Sequence, residues 1–116
     1  MVDAYWDIIF YKRYFTDFVD KQSLKVAKKI YWTIDVIRQN RFFTEPYVKS
    51  LEGTNGLSEI RVMFGGNIFR IFCFFDEGKL IVLAHGFQKK SDKTPRREIE
   101  KALRIKDEYY AEKDKH

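Results

Sequence analysis

The sequence predicts an α+β domain, with helices packed on one face of a small, mainly antiparallel β-sheet and a further helix at the C-terminus. Residues 57–86 are rich in apolar and β-branched residues and are interrupted by two short Gly-containing turns, a pattern typical of an antiparallel meander. Residues 16–38 carry apolar residues at helical spacing. At 116 residues, the chain is expected to form a single domain spanning residues 1–116.

The N-terminal half predicts one strand followed by helix. Residues 4–12, AYWDIIFYK, are aromatic and β-branched and favour a first strand. Thr16 is expected to cap a long amphipathic helix that is broken near Ser23. An irregular connection is predicted for residues 40–56, which contain Pro46 and two glycines. The expected buried face of the helix consists of Leu24, Ala27, Ile30, Tyr31, Ile34 and Ile37.

Three strands are predicted near residues 57–64, 67–76 and 79–86, and a last helix near Thr94 and Pro95, with Thr94 as its N-cap. Because that helix is rich in charged residues, we expect most of it to be exposed to solvent. Two-residue turns would place Arg61 opposite Arg70, and Arg70 opposite His85, with Glu59, Phe72 and Leu83 in the neighbouring row. The opposite face of the sheet would then form the core, with Ile60, Val62, Phe64, Phe69, Ile71, Cys73, Phe75, Leu80 and Val82.

The predicted arginine pair has two interpretations. Like charges directly opposed on neighbouring strands are destabilising, so a purely structural sheet gains nothing from Arg61 facing Arg70. An anion bound between the two arginines makes the arrangement favourable, because each guanidinium offers planar paired donors to a phosphate. Alternatively, Glu59 and other acids pair with the arginines as surface salt bridges. Spacing alone leaves both interpretations open.

A basic segment follows the third strand of the meander. Residues 85–97, HGFQKKSDKTPRR, contain five Lys or Arg residues and one Asp, and so carry most of the chain's net charge of +5. Runs of lysine are commonly just solvated, but a position beside an arginine pair favours a site for a polyanion. The basic side chains are Lys89, Lys90, Lys93, Arg96 and Arg97.

The apolar runs, the single cysteine and the two histidines indicate where the protein is located and whether it needs a cofactor. No apolar run is long enough to span a membrane, and the N-terminus lacks the pattern of a signal peptide, so a cytoplasmic protein is expected. The single cysteine, Cys73, lies in an apolar run and is expected to be buried and reduced. With two histidines and no paired-cysteine or H-x-x-E motif, no metal or other cofactor is expected.

Four stretches resemble the HigB-type branch of the RelE/ParE superfamily, which comprises phage-derived and bacterial toxins of toxin–antitoxin modules. They are GLSEIRV (56–62), NIFRIFCFF (67–75), IVLAHGFQKKSDKTP (81–95) and REIEKAL (97–103), and the likeness extends to KSLEG (49–53). The resemblance implies a RelE-like fold and a metal-independent endoribonuclease that cuts mRNA, often on the ribosome, and so inhibits translation. It also implies a cognate antitoxin, expected to be a helix-turn-helix DNA-binding protein.

The predicted catalytic set is Arg61, Arg70, His85, Lys89 and Lys90, and the predicted RNA-binding set is Lys93, Arg96 and Arg97. The resemblance implies the two arginines and the three lysines. His85 follows from its place in the predicted strand row, and Arg96 and Arg97 follow from the charge of the basic segment. In this hypothesis the two arginines bind the scissile phosphate, while a lysine or His85 moves the protons. The sequence does not choose between lysine and histidine. Tyr109 and Tyr110 match a tail tyrosine of some relatives, although packing is the favoured interpretation.

Two alternatives to a ribonuclease stay open at this point. Some relatives poison DNA gyrase on the same scaffold without cutting RNA, and a plain RNA-binding module would need phosphate contacts alone. A catalytic arginine also predicts that Arg70→Lys loses most cleavage and Arg70→Ala loses more, while stability hardly falls, because one of two opposed charges is removed.

Overall fold

The computed structural model describes residues 4–42, 47–90 and 93–115; Pro46 and residues 91–92 of the basic segment lie outside these ranges. The strands form one five-stranded sheet in the order β1-β5-β4-β3-β2, in which β1 runs parallel to β5 and the other neighbours are antiparallel. The predicted α+β class is therefore confirmed. The elements are β1 (Asp7–Phe10), α1 (Tyr14–Asp20), α2 (Leu24–Gln39), β2 (Val48–Ser50), β3 (Ser58–Phe64), β4 (Asn67–Phe75), β5 (Leu80–Lys89) and α3 (Arg96–Asp114).

The helical region divides near Ser23, as the sequence predicted. The Ser23 side chain accepts a hydrogen bond from the Val26 backbone N–H at 3.2 Å and so caps α2. The predicted cap at Thr16 is wrong, because α1 already begins at Tyr14 and Arg13 occupies its N-cap position. The short α1 and the long α2 are thus two helices with separate starts.

α1 and α2 pack on one face of the sheet and form the first core. Two members of the predicted helix face, Leu24 and Tyr31, are exposed, and Val26 and Thr33 are buried instead. Thr33 satisfies its hydroxyl within the helix by donating to the Lys29 carbonyl. The buried members of this core are Phe15, Val19, Val26, Ile30, Ile34, Ile37, Val48, Ile60, Val62, Phe69, Ile71, Cys73, Ile81 and Leu83.

The hairpin of β3 and β4 has the predicted register. Phe64 lies opposite Asn67 across a two-residue turn, and Arg61 lies opposite Arg70. Both turn residues, Gly65 and Gly66, have positive φ, at 59° and 81°. Two positive φ values are what a tight hairpin turn requires, and glycine adopts them without a steric penalty.

The hairpin of β4 and β5 has a longer loop than predicted. The Asp76 backbone N–H donates to the Leu80 carbonyl at 3.0 Å, so residues 77–79 form a three-residue loop in place of the predicted Glu77-Gly78 turn. One extra residue moves every following side chain to the other face of the sheet. Leu83 therefore lies in the first core, while Val82 points to the second face, the reverse of the prediction.

An irregularity in β5 then restores the original alternation. Between the pairs Cys73–Leu83 and Ile71–Gly86 the register shifts by one residue, so Ala84 and His85 share the position opposite Phe72. Arg70 consequently lies opposite Phe87. The prediction that Arg70 faces His85 is wrong by two residues along β5.

α3 covers the second face of the sheet. The helix was expected to be largely exposed, but Ala102 and Ile105 are buried against the strands. α3 begins at Arg96 with Pro95 in the N-cap position, and the Thr94 hydroxyl does not cap it. The buried members of this second core are Tyr11, Leu57, Phe72, Phe74, Val82, Ala84, Ala102 and Ile105.

A short strand lies within the stretch that was predicted to be irregular. β2 pairs with β3, placing Val48 opposite Ile60 and Lys49 opposite Glu59. Three residues give little local signal for a strand, since their pairing partner lies about ten residues further along the chain. The sheet therefore gains a fifth strand that sequence patterning did not reveal.

Cys73 is buried, as predicted, and burial raises the pKa of its thiol to about 12. The thiol therefore stays protonated near neutral pH and packs as a small apolar side chain. No helix in the described ranges combines the length and the apolar character that crossing a membrane would require.

Candidate functional site

Four neighbouring strands each place a cation on the face of the sheet that also carries α3. Lys49 of β2 lies opposite Glu59, Arg61 of β3 opposite Arg70 of β4, and Lys89 of β5 opposite Ile68. Because side chains alternate along a strand, these residues share one face. With Lys90 they line a cavity of about 430 Å³, completed by Gly66, Asn67 and Ile68. We call the five cations Lys49, Arg61, Arg70, Lys89 and Lys90 the cationic cradle.

Arg70 is held by a buried ion pair. Its Nη1 donates to Oε1 of Glu59 at 2.8 Å, and the two side chains are only 3% and 2% exposed. The other carboxylate oxygen of Glu59 accepts a hydrogen bond from the Thr94 hydroxyl at 3.1 Å. The segment before α3 thus contacts β3 and holds the carboxylate that orients Arg70.

Arg70 stays positively charged although its side chain is buried. Burial lowers the pKa of the Arg70 guanidinium, the Glu59 carboxylate opposes that shift, and the positive charge of Arg61 adds to it. Because the ordinary pKa of an arginine exceeds 12, the group stays charged at neutral pH. Glu59 offsets one positive charge, and the cradle keeps a surplus of cations.

Both arginines have an unused donor. The Nε atoms of Arg61 and Arg70 are buried and have no hydrogen-bond partner among the described residues. Buried polar atoms are normally satisfied, so these donors are available to a ligand or to water. Both ring nitrogens of His85 are buried without a described partner in the same way. Two guanidinium groups facing each other across a hairpin suit an anion with several oxygens, above all a phosphate.

His85 lies outside the cradle. Its ring packs on Phe72, with centroids 5.1 Å apart, and its Nε2 is 3.6 Å from a carboxylate oxygen of Glu98, beyond hydrogen-bond distance. Burial, together with the positive charges of Lys101 and Arg104, lowers the pKa of His85 to about 4. The imidazole is therefore neutral at pH 7 and packs on the ring of Phe72, which lies two residues from Arg70 along β4.

The sequence-predicted RNA-binding residues are not among those that line the cavity. Lys93, Arg96 and Arg97 are exposed at the start of α3. Arg96 forms a helix-surface pair with Glu100 at 3.2 Å. The contact of Lys93, Arg96 and Arg97 with RNA remains a prediction.

The two tail tyrosines pack at the opposite end of β4. The Tyr109 hydroxyl donates to a carboxylate oxygen of Asp76 at 2.6 Å, and the Tyr110 hydroxyl donates to the Phe75 carbonyl at 3.2 Å. Burial and the Asp76 carboxylate raise the pKa of Tyr109. The favoured interpretation, packing, is therefore the one that the contacts bear out.

Sequence reasoning missed two parts of this site. Lys49 went unnoticed because its strand was predicted as an irregular connection, and only pairing with β3 brings it to the cradle. Glu59 was considered as a surface partner of the arginines, whereas it is buried. Strict alternation already placed Glu59 and Arg61 on one face, but the burial depends on Thr94, which is distant in sequence.

No group of three His, Cys, Asp or Glu side chains in the described part of the chain is arranged to hold a metal ion. A family model described as "Phage derived protein Gp49-like (DUF891)" matches residues 17–107, which span α2, every strand except β1 and the first half of α3. The chain belongs to the Gp49-like family. This family groups RelE- and HigB-type toxins of toxin–antitoxin systems. No curated protein matches the chain.

Proposed function

We propose that this Gp49-like protein is the toxin of a type II toxin–antitoxin module and acts as a metal-independent mRNA endoribonuclease that inhibits translation. One observation carries the proposal: four adjacent strands bring cations to one cavity, and two facing arginines keep a buried Nε without a partner. Membership of the Gp49-like family supports the same conclusion.

The chemistry needs few protein groups, because RNA supplies its own nucleophile. The 2′-hydroxyl loses a proton and forms a bond to phosphorus, the bond from phosphorus to the 5′-oxygen breaks, and that oxygen takes up a proton. The products are a 2′,3′-cyclic phosphate and a 5′-hydroxyl. Arg61 and Arg70 would bind the extra negative charge of the pentacoordinate phosphorus, which exists only in the transition state.

The cradle lysines are the better candidates for moving the protons. Lys89 and Lys90 line the same cavity as the two arginines, whereas His85 is buried behind Phe72. A group that transfers a proton must come within hydrogen-bond distance of the reacting oxygen. We therefore assign proton transfer to this lysine pair and a packing role to His85.

The partners proposed for the chain follow from its charge and its family. A net charge of +5 suits mRNA and the ribosome, and a cognate antitoxin of the helix-turn-helix class would neutralise the toxin in the cytoplasm. The antitoxin itself is expected from the family resemblance.

The test is to induce the chain without an antitoxin in a bacterial host and to map mRNA 5′ ends. The proposal expects growth arrest with new 5′ ends inside coding regions, and neither effect for Arg61→Ala. Arrest with DNA breaks at gyrase sites would identify a gyrase poison instead. Arrest with intact mRNA and intact DNA would identify an RNA-binding inhibitor. Normal growth with folded protein present would contradict a toxin.

A further inference from the structure

An aromatic side chain borders the cationic cradle and has no role in phosphate binding. Phe87 is the cross-strand partner of Arg70, and Lys89 follows two positions later on the same face of β5. Its ring stacks on the fully buried Phe72, with centroids 5.5 Å apart and an interplanar angle of 21°. Phe87 itself is only half-buried. A fixed aromatic ring thus lies directly beside the arginine that faces the cavity.

The position of Phe87 depends on the irregularity in β5. Without the shift between Ile71 and Cys73, the preceding register would have placed Phe87 opposite Phe69, in the first core. The shift places it on the cradle face instead. Such shifts often occur next to functional sites, where they redirect a side chain.

The outer edge of β5 is open at this point. β1 ends at Phe10, opposite Leu83, so on the side away from β4 no described strand pairs with β5 from Ala84 to Lys89. Because Phe87 keeps part of its surface exposed to solvent, a planar group can contact it while a charged group occupies the cavity. Residues directly opposite on neighbouring strands have Cβ atoms about 5 Å apart, which is comparable to the separation of a phosphate from its own base in a nucleotide.

We propose that Phe87 is a stacking platform for the base of the nucleotide whose phosphate lies in the cationic cradle. The ligand is a single-stranded nucleic acid with at least one unpaired base. Stacking on an aromatic ring accepts any base and adds affinity without reading hydrogen bonds. Phe72 holds the ring from behind, so little side-chain freedom is lost on binding.

The proposal rests on RNA being the ligand of the cradle, and its test is independent of cleavage. The probes are 2′-O-methyl tetranucleotides, which lack the nucleophilic hydroxyl, and a matched series in which one position at a time is abasic. For the wild-type chain, loss of the base at one position should weaken binding roughly tenfold. Phe87→Leu should bind the complete oligonucleotide as weakly as the wild-type chain binds that abasic one. Phe87→Tyr should prefer the complete oligonucleotide over the abasic one by the same factor as the wild-type chain.

Two controls separate stacking from charge and from folding. Phe10→Leu changes a half-exposed phenylalanine on β1, away from the cradle, and should bind like the wild-type chain. The salt dependence of binding should be the same for Phe87→Leu and the wild-type chain, because no phosphate contact is lost.

Three results would overturn the stacking platform: no discrimination against an abasic position by the wild-type chain, wild-type discrimination in Phe87→Leu, or no binding of any oligonucleotide. A chain that discriminates in this way but leaves unmodified mRNA intact would support the platform and contradict the ribonuclease. If the wild-type chain cleaves mRNA and Phe87→Leu still discriminates against the abasic position, the ribonuclease is supported and the stacking platform is contradicted.

Discussion

Arg70 and Glu59 form an ion pair on adjacent strands, with 2.8 Å between Nη1 and Oε1 and almost no exposure to solvent. This contact gives Arg70 two roles, since the same side chain orders the interior and lines the cavity. Loss of function in an Arg70 variant therefore does not by itself identify a catalytic group, and unfolding has to be measured beside cleavage to distinguish the two roles.

Arg70→Ala is expected to destabilise the fold. Removing the guanidinium leaves the buried Glu59 carboxylate without its partner, which typically costs about 3 to 5 kcal/mol in the free energy of unfolding. This replaces the expectation that stability would hardly fall, because the burial of Glu59 was not evident from the sequence. Denaturant unfolding measures the effect, with Arg96→Ala as the control, since that side chain is 90% exposed. An Arg70→Ala variant as stable as the control would show that the ion pair contributes little.

Arg61→Lys is the cleaner test of phosphate binding. Arg61 is half-buried, and its Nε has no partner among the described residues, so the exchange keeps the charge and removes only the planar paired donors. We expect cleavage to fall by about 10²- to 10³-fold, with unfolding almost unchanged. Arg13→Lys, on the surface of α1, should cleave normally and serves as the control. Full cleavage by Arg61→Lys would show that cleavage does not need the planar paired donors of Arg61.

Lys89→Ala combined with Lys90→Ala should weaken binding of single-stranded RNA and flatten its salt dependence. Each lost phosphate contact lowers the slope of log K against log salt by about 0.7 for a single strand. The control is Lys25→Ala combined with Lys28→Ala, which removes the same charge from the exposed side of α2. Equal slopes for the two double variants would mean that only net charge matters and that the cradle does not bind the backbone.

His85 should make the fold sensitive to acid. Its pKa is about 4 in the folded chain and near 6.5 when unfolded, so the unfolded state binds more protons between these values. The free energy of unfolding should therefore fall as the pH drops from about 6.5 to 4, by roughly 2 to 4 kcal/mol in total. In His85→Phe this part of the pH dependence should disappear, while that of the carboxylates remains. The measurement is the difference between the two unfolding curves across this pH range, and a constant difference would contradict the assigned pKa.

The sequence by itself determined the α+β class, the division of the helices at Ser23 and the register of the first hairpin. These features are local. Gly65 and Gly66 both adopt positive φ, which fixes a two-residue turn and hence the pairing of Arg61 with Arg70. A serine cap acts within one helical turn. Patterns of this kind are readable because the interacting residues are close neighbours in the chain.

The tertiary structure decided which residues share the site with the arginines. The loop at residues 77–79 is one residue longer than its Gly-containing sequence indicated, and the shift in β5 then returned Phe87 and Lys89 to the cradle face while leaving His85 behind Phe72. Lys49 belongs to the cradle because it lies on β2, a strand of three residues that is too short to be recognised from the sequence. Each outcome depends on packing between segments far apart in sequence, and a single residue of register exchanges the two faces of a strand, so local preferences could not decide it.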